Sequence, residues 1–73
     1  MIGCMSLREI FAKNLKRYRE IRKLSQEALA DAANIDRTYV SALERGRYSA
    51  SIDTIEKLAF ALEVAPDELL TER

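Results

Sequence analysis

The sequence predicts an all-α protein, a compact bundle of five helices. Apolar residues recur at spacings of three and four, each such run follows a residue suited to begin a helix, and no segment alternates as a β-strand does. The 73 residues are expected to form a single domain, residues 1–73. Its core is expected to be thin, because so short a chain buries only about 60% of its unfolded surface. Residues 1–5 are expected to form a frayed terminus.

The first helix is predicted to begin near Leu7, since Ser6 and Glu9 have the spacing of a capping box. Lys and Arg fill its outer side, and Arg22 and Lys23 suit the negative end of the helix dipole. The predicted inner face comprises Leu7, Ile10, Phe11, Leu15, Tyr18 and Ile21.

Two short helices are predicted next. Ser25 is a good N-cap for the second helix, which is expected to end at Asn34, a residue that tolerates the left-handed conformation. Asp36 is predicted to cap the third helix, which runs to about Arg45 and is ended by Gly46. The residues expected to face inward are Ala28, Leu29 and Ala32 in the second helix and Val40 and Leu43 in the third.

Two further helices complete the predicted bundle. Ser51 is expected to cap the fourth helix, and Pro66 suits the first position of the fifth, where a missing N–H has no consequence. Asp67 and Glu68 favour that N-terminal end. The predicted inner faces are Ile52, Ile55, Leu58, Ala59 and Leu62 for the fourth helix and Leu69 and Leu70 for the fifth.

The composition excludes several kinds of site. The chain has no histidine and one cysteine, Cys4, so a histidine-based triad, a zinc centre and an internal disulfide are excluded. An apolar run of about 18 residues is absent, as is the charged start of a signal peptide. We therefore expect a cytoplasmic protein with no cofactor, no metal, no membrane partner and no small-molecule ligand.

The charges are unevenly distributed although the formal net charge is zero. Residues 8–23 carry seven Lys or Arg and two acids, and residues 37–48 carry three Arg and one acid. Residues 49–73 carry two bases and six acids. Because phosphate binding depends on local basic surface, these segments permit DNA binding, although solvated helix faces would give the same pattern.

Residues 24–47, LSQEALADAANIDRTYVSALERGR, resemble the helix-turn-helix of the phage repressor and Cro (XRE-type) family. Residues 51–59 are similar to the fourth helix of that family. The matching positions are Leu24 to Glu27, Ala32, Ile35, Val40 and Leu43 to Gly46. The resemblance covers residues 7–70 and implies a lambda-repressor-like DNA-binding fold with the helix-turn-helix at residues 25–45. Residues 37–41 also look like the controller proteins of restriction–modification systems, which are stand-alone, dimeric versions of this domain.

The resemblance places the third helix in the major groove of DNA, with its N-terminal residues toward the base edges. Arg37 can donate two parallel hydrogen bonds to guanine O6 and N7. Thr38 can donate, accept or touch a thymine methyl group, and Ser41 lies one turn along the same face. We expect these three residues to contact bases; the alternative for Arg37 is an exposed charge near a helix start.

A second set of residues is expected to contact the DNA backbone. In the resembling proteins, the equivalent of Gln26 grips a phosphate beside the free N–H groups of a helix N-terminus. The alternatives are packing of Tyr39 on the second helix and solvated charge for Arg45 and Arg47. The predicted phosphate contacts are Ser25, Gln26, Tyr39, Arg45, Arg47, Ser49 and Ser51.

Arg19 is expected to be structural, because the resemblance places it opposite Glu44 in an ion pair linking the first and third helices. The sequence departs from the family at three helix ends where glycine is usual. Those positions hold Lys23, Asn34 and Glu63. The two charged residues among them would be strained if left-handed. Ala65 also replaces the usual capping serine before Pro66.

Phe60 falls off the inner stripe of the fourth helix and is predicted to form a homodimer contact with Val64 and Leu70. A lone surface aromatic is the alternative. The predicted function is a transcriptional regulator that binds duplex DNA as a homodimer at an inverted-repeat operator. The alternative function is an antitoxin-type regulator that also binds a toxin partner. An enzyme is not expected, since neither a histidine nor a glycine-rich phosphate loop is present.

Overall fold

The computed structural model describes residues 6–72 as four α-helices followed by a 3-10 helix. The frayed terminus predicted at residues 1–5, and Cys4 within it, lie outside the described residues. No strand occurs between residues 6 and 72, so the all-α prediction is confirmed. The helices are α1 (Leu7–Ile21), α2 (Gln26–Ala33), α3 (Arg37–Glu44) and α4 (Ile52–Leu62), and the 3-10 helix spans Pro66–Leu70.

The start of each α-helix is fixed by a side chain, as predicted. Ser6 and Glu9 form the reciprocal capping box at the start of α1, with bonds of 3.1 and 3.2 Å. Ser25, Asp36 and Ser51 accept backbone N–H groups at the starts of α2, α3 and α4. Each cap satisfies a donor that has no partner within its own helix, so the helix boundaries follow from local sequence.

The prediction of a fifth α-helix is wrong, because residues 66–70 form a 3-10 helix. Ala65 makes no side-chain capping bond, and five residues are too few for a stable α-helix. Asn14 of α1 also donates from Nδ2 to the carbonyl oxygens of Leu69 (3.0 Å) and Thr71 (2.9 Å). These carbonyl groups therefore point toward α1, and the two hydrogen bonds attach the 3-10 helix to α1.

The core lies between the helices and is almost entirely aliphatic. Its buried residues are Phe11, Leu15, Leu29, Ala30, Ala33, Val40, Leu43, Leu58, Ala59, Leu62 and Leu69. Within this arrangement α1 packs on α3 and on the 3-10 helix, while α4 packs on α2 and on the 3-10 helix. No helix within residues 6–72 has the length and apolar character needed to cross a bilayer.

Four predicted inner-face residues are exposed. Leu7 is 57% exposed, Ile21 61% and Ile52 83%, because each lies at a helix end beyond the reach of the neighbouring helix. In α2, Ala32 is exposed. The buried alanines there are Ala30 and Ala33. Together with Leu29 they lie toward α3 and α4, so α2 is rotated from the predicted orientation.

The three helix ends that lack glycine are left-handed, with φ angles of 59° at Lys23, 60° at Asn34 and 61° at Glu63. Asparagine adopts this conformation readily, as predicted for the end of α2. For Lys23 and Glu63 the left-handed conformation costs roughly 1–2 kcal/mol each. The fold therefore has left-handed residues at the ends of α1 and α4 at a cost in stability.

Candidate nucleic-acid interface

The turn between α2 and α3 consists of residues 34–36 and sets the relative orientation of the two helices. Left-handed Asn34 ends α2, and the N–H of Ile35 donates to the Ala30 carbonyl oxygen at 2.9 Å. The partly buried Ile35 packs against the core. Asp36 then accepts the Thr38 N–H at 3.3 Å, so that α3 begins immediately. The turn is thus held at both ends.

The helix α3 has one face in the core and one in solvent. Val40 and Leu43 are fully buried, which fixes the rotation of the helix. Arg37 and Thr38 are exposed and Ser41 is partly exposed. The structure therefore brings the three predicted base-contacting residues together on the outward side of α3.

Ser41 and Arg45 are linked across one turn on the outward side of α3. Arg45 donates from Nη1 to the hydroxyl oxygen of Ser41. The guanidinium of Arg45 therefore lies along the outer side of α3 beside a predicted base contact. Arg47, by contrast, is exposed in the loop that follows.

The N-terminus of α2 lies beside the end of α3. Gln26 donates from Nε2 to Oε1 of Glu44 at 3.0 Å and is partly buried. Ser25 is exposed, and its hydroxyl oxygen accepts the Ala28 N–H at 3.0 Å. Tyr39 packs partly against the core while retaining some exposure. Ser25 and Gln26 therefore place polar groups where the start of α2 meets the end of α3, whereas Tyr39 lies near the start of α3.

The loop between α3 and α4 adds further polar groups. Ser49 is exposed. Ser51 accepts the Thr54 N–H at 3.1 Å and donates to the Thr54 hydroxyl at 2.9 Å, so its hydrogen is already used. The loop also carries Tyr48, which is 61% exposed and was not among the predicted contacts.

Arg19 and Glu44 form a close ion pair. The Nε of Arg19 lies 2.6 Å from Oε2 of Glu44, and its Nη2 donates to Oε1 at 3.1 Å. The Arg19 Nη1 donates to the Leu24 carbonyl oxygen at 2.8 Å. The hydrogen bonds to Glu44 raise the pKa of Arg19 above its ordinary value. With its donors engaged within the protein, Arg19 is positioned to join α1, the start of α2 and the end of α3.

The predicted dimer residues differ in exposure. Phe60 is 84% exposed, whereas Val64 and Leu70 are partly buried and pack against the core. Leu70 also lines an open groove with Leu7 and Phe11. The 83% exposed Ile52 lies on the same helix as Phe60 and was not included in the predicted contact. Within residues 6–72, no group of three or more Asp, Glu or Cys side chains could hold a metal ion.

A short helix with a buried inner face, an outward polar face and a fixed turn to the preceding helix defines a helix-turn-helix protein. The sequence profile of the helix-turn-helix family HTH_3 matches residues 15–69. The chain belongs to this family of XRE-type DNA-binding transcription regulators. Regulation rather than enzymatic activity is the role of its relatives, which include controller proteins and a phage immunity repressor.

Three relatives illustrate the similarity. The control protein C.SmaI from Serratia marcescens is 39% identical over 69 residues, which is 94% of this chain and 82% of that protein. The hypothetical transcription factor NHTF from Neisseria is 45% identical in sequence to this chain. Its crystal structure matches with a TM-score of 0.89, and the match covers 92% of this chain and 77% of that one. The restriction–modification controller C.AhdI from Aeromonas hydrophila is 42% identical, with a TM-score of 0.83 over 85% and 94%.

Proposed function

We propose that the protein is a sequence-specific regulator that binds duplex DNA as a homodimer, with α3 in the major groove of an inverted-repeat operator. The observation that carries this proposal is the division of α3 into a buried face and an outward face. Val40 and Leu43 hold the helix in the core, whereas Arg37 and Thr38 are exposed and Ser41 is partly exposed on the other side.

The outward face suits the reading of base edges. A major groove about 12 Å wide admits one α-helix. Arg37 and Thr38 lie at the N-terminal end of α3, the end that reaches deepest in helix-turn-helix complexes. An exposed arginine there can make the paired hydrogen bonds that distinguish guanine from the other bases. The proposed base contacts are Arg37, Thr38 and Ser41.

The edge formed by the start of α2 and the loop after α3 suits phosphate binding. The first N–H groups of α2 and the amide of Gln26 offer donors at a helix end that attracts anions. Arg47 adds an exposed positive charge. The proposed phosphate contacts are Ser25, Gln26, Tyr39, Arg45, Arg47, Ser49 and Ser51, with Ser51 the weakest because its hydroxyl is engaged.

Homodimerisation is supported by the apolar surface at the far end of α4. Phe60 is almost fully exposed, and Val64 and Leu70 are only partly covered by the rest of the chain. A second copy would bury these side chains and place two recognition helices about one helical turn of DNA apart. The similarity to C.SmaI and C.AhdI supports a role as a restriction–modification controller.

Selection of bound duplexes from a random pool tests this proposal directly. The expected product is an inverted repeat with half-site centres about 10 bp apart. Sedimentation of the same protein sample is expected to show a dimer. Enrichment of no sequence, or of a single half-site by a monomer, would contradict the proposed function.

A further inference from the structure

The carboxylate of Glu44 makes contacts with two other helices. Its Oε1 accepts hydrogen bonds from Arg19 Nη2 at 3.1 Å and from Gln26 Nε2 at 3.0 Å. Its Oε2 accepts from Arg19 Nε at 2.6 Å. The Glu44 side chain is only 3% exposed, and that of Arg19 is 13% exposed. The two side chains therefore form a mostly buried ion pair, which bonds to Gln26 through Glu44.

The bond from Glu44 fixes the orientation of the Gln26 amide. A glutamine amide carries two N–H groups in one plane, and one of them is held by the Glu44 oxygen. The other N–H must then point away from Glu44. Gln26 is also the first residue of α2, so it belongs to the helix end whose first backbone N–H groups have no partner within the helix.

A carboxylate so close to a phosphate contact requires a neutralising partner. Glu44 alone would repel the DNA backbone. The two bonds from Arg19 balance its charge, and Arg19 is in turn tied to the Leu24 carbonyl just before α2. The pair can therefore orient the amide without a net negative charge.

We propose that Glu44 is a positioning residue for DNA binding: its carboxylate, neutralised by Arg19, holds the Gln26 amide with one N–H directed to a backbone phosphate. This inference rests on the proposed function. A free glutamine loses much rotamer freedom when it binds, and a glutamine that is already held avoids most of that loss. The ion pair thus contributes to affinity as well as to the fold.

A mutant cycle separates positioning from folding. Gln26→Ala is made in the native chain and in an Arg19→Met/Glu44→Leu background, in which the ion pair is replaced by apolar side chains that such sites tolerate. Affinity is measured on a random-sequence duplex, because phosphate contacts do not depend on sequence. We expect Gln26→Ala to weaken binding about tenfold in the native chain, as loss of a hydrogen bond to a charged group does. In the apolar background, where the amide is not held, we expect a loss below about threefold.

Glu27→Ala is the matched control, since Glu27 is an exposed acid next to Gln26. Removing an acid near a phosphate reduces repulsion, so this variant is expected to bind DNA as well as or better than the native chain. Glu44→Ala, which removes the same charge, is expected to bind more weakly. Because Glu44→Ala is also destabilised, its affinity is calculated for the folded fraction that urea unfolding gives. A loss of affinity for folded Glu44→Ala with no loss for Glu27→Ala supports positioning, and a gain in affinity for Glu44→Ala would overturn it.

The outcomes distinguish this inference from the function on which it rests. An equal loss from Gln26→Ala in both backgrounds would show that Glu44 does not position the amide, while leaving DNA binding intact. No loss from Gln26→Ala in the native chain would remove Gln26 from the phosphate contacts and overturn the inference with it. Failure of the native chain to bind any duplex would overturn the proposed function itself.

NMR of the native chain tests the proposal without any substitution, so the result does not depend on whether the variants fold. Gln26 is the only glutamine in the sequence, so its side-chain amide gives an identifiable pair of NMR signals. We expect one proton to be shifted and protected before DNA is added, and the other to move on titration with duplex. Two signals typical of a free glutamine side chain would overturn the proposal.

Discussion

The guanidinium of Arg22, the residue that follows α1, donates from Nε to the carbonyl oxygen of Leu62, the last residue of α4, at 2.8 Å. A second bond runs from its Nη2 to the Glu63 carbonyl oxygen at 3.2 Å. Carbonyl groups at a helix end have no partner within the helix and carry the negative end of its dipole. Arg22, which lies in the basic segment of residues 8–23, therefore satisfies carbonyl groups at the C-terminal end of α4.

We expect Arg22→Ala to lower the free energy of unfolding by about 1 kcal/mol, because it removes two charge-assisted bonds from a partly exposed site. Urea denaturation gives this value directly. Lys16→Ala removes the same charge from an exposed position of α1 and is expected to change stability by less than about 0.5 kcal/mol. Equal effects of the two variants would mean that Arg22 acts only through its charge.

Glycine at the end of α1 is expected to stabilise the protein. Lys23 has a φ of 59°, and glycine adopts this conformation without strain. Lys23→Gly should therefore raise the free energy of unfolding by about 1 kcal/mol. Lys13→Gly, within α1, should instead lower it by about 1 kcal/mol. A loss of stability from Lys23→Gly would contradict the strain assigned to this residue.

The starts of the helices could be predicted because the determining contacts are local. Ser25 and Asp36 bond to N–H groups only two or three residues ahead. The inner faces were less predictable, because burial depends on which helix lies opposite. Ile52 satisfies the helical spacing yet is 83% exposed, since it precedes the part of α4 that is covered. A spacing rule contains no information about where a neighbouring helix stops.

The candidate site could also be predicted only in part, because its local features follow from the sequence pattern and its tertiary contacts do not. The outward side of α3 follows from the burial of Val40 and Leu43, which the sequence pattern indicated. The bond between Gln26 and Glu44 joins residues 18 apart, and no local pattern implies it. Likewise, the contact of Asn14 with Leu69 spans 55 residues, and it helps to make the last element a 3-10 helix. These contacts arise only from tertiary packing.

Substitutions of Arg19 and Glu44 are expected to have strongly non-additive effects on the free energy of unfolding. Glu44→Ala leaves the guanidinium of the 13% exposed Arg19 side chain without its carboxylate partner, and the cost of about 3–5 kcal/mol for breaking a fully buried pair is the upper limit for this part-buried one. Urea unfolding of Arg19→Met, Glu44→Ala and the double variant measures the coupling. We expect the double variant to be less destabilised than the sum of the single variants. Additive effects would mean that the two residues do not interact in solution.

Arg37 is expected to determine one position of the operator. Arg37→Ala should cost roughly 1–3 kcal/mol at a single guanine and relax the preference there. Sequence selection with the native and variant proteins tests this. Arg47→Ala is the matched control, since it removes the same charge from the neighbouring loop. Arg47→Ala should weaken binding to all sequences. It should also reduce the slope of log affinity against log salt concentration by about 1. If Arg37→Ala selected the same motif with the same affinity, the assignment of α3 would be wrong.

Phe60→Lys tests the link between dimerisation and operator binding. Phe60 is 84% exposed, so a lysine there leaves the core undisturbed and spares every proposed DNA contact. The charge would oppose burial of residue 60 in the proposed dimer contact with Val64 and Leu70. We expect a folded monomer in sedimentation. Because two linked half-site contacts exceed the affinity of one, operator affinity should fall by about 100-fold or more.

Ile52→Lys provides the comparison, because Ile52 is equally exposed and lies eight residues earlier on α4. Eight residues of helix span about 12 Å, so a dimer centred on Phe60 should survive this change. If Ile52→Lys dissociated the dimer and Phe60→Lys did not, the interface would lie at the opposite end of α4. A Phe60→Lys protein that stayed dimeric would contradict the proposed contact. A native monomer that bound one half-site tightly would remove the need for a dimer, because α3 of a single copy would then supply all the base contacts.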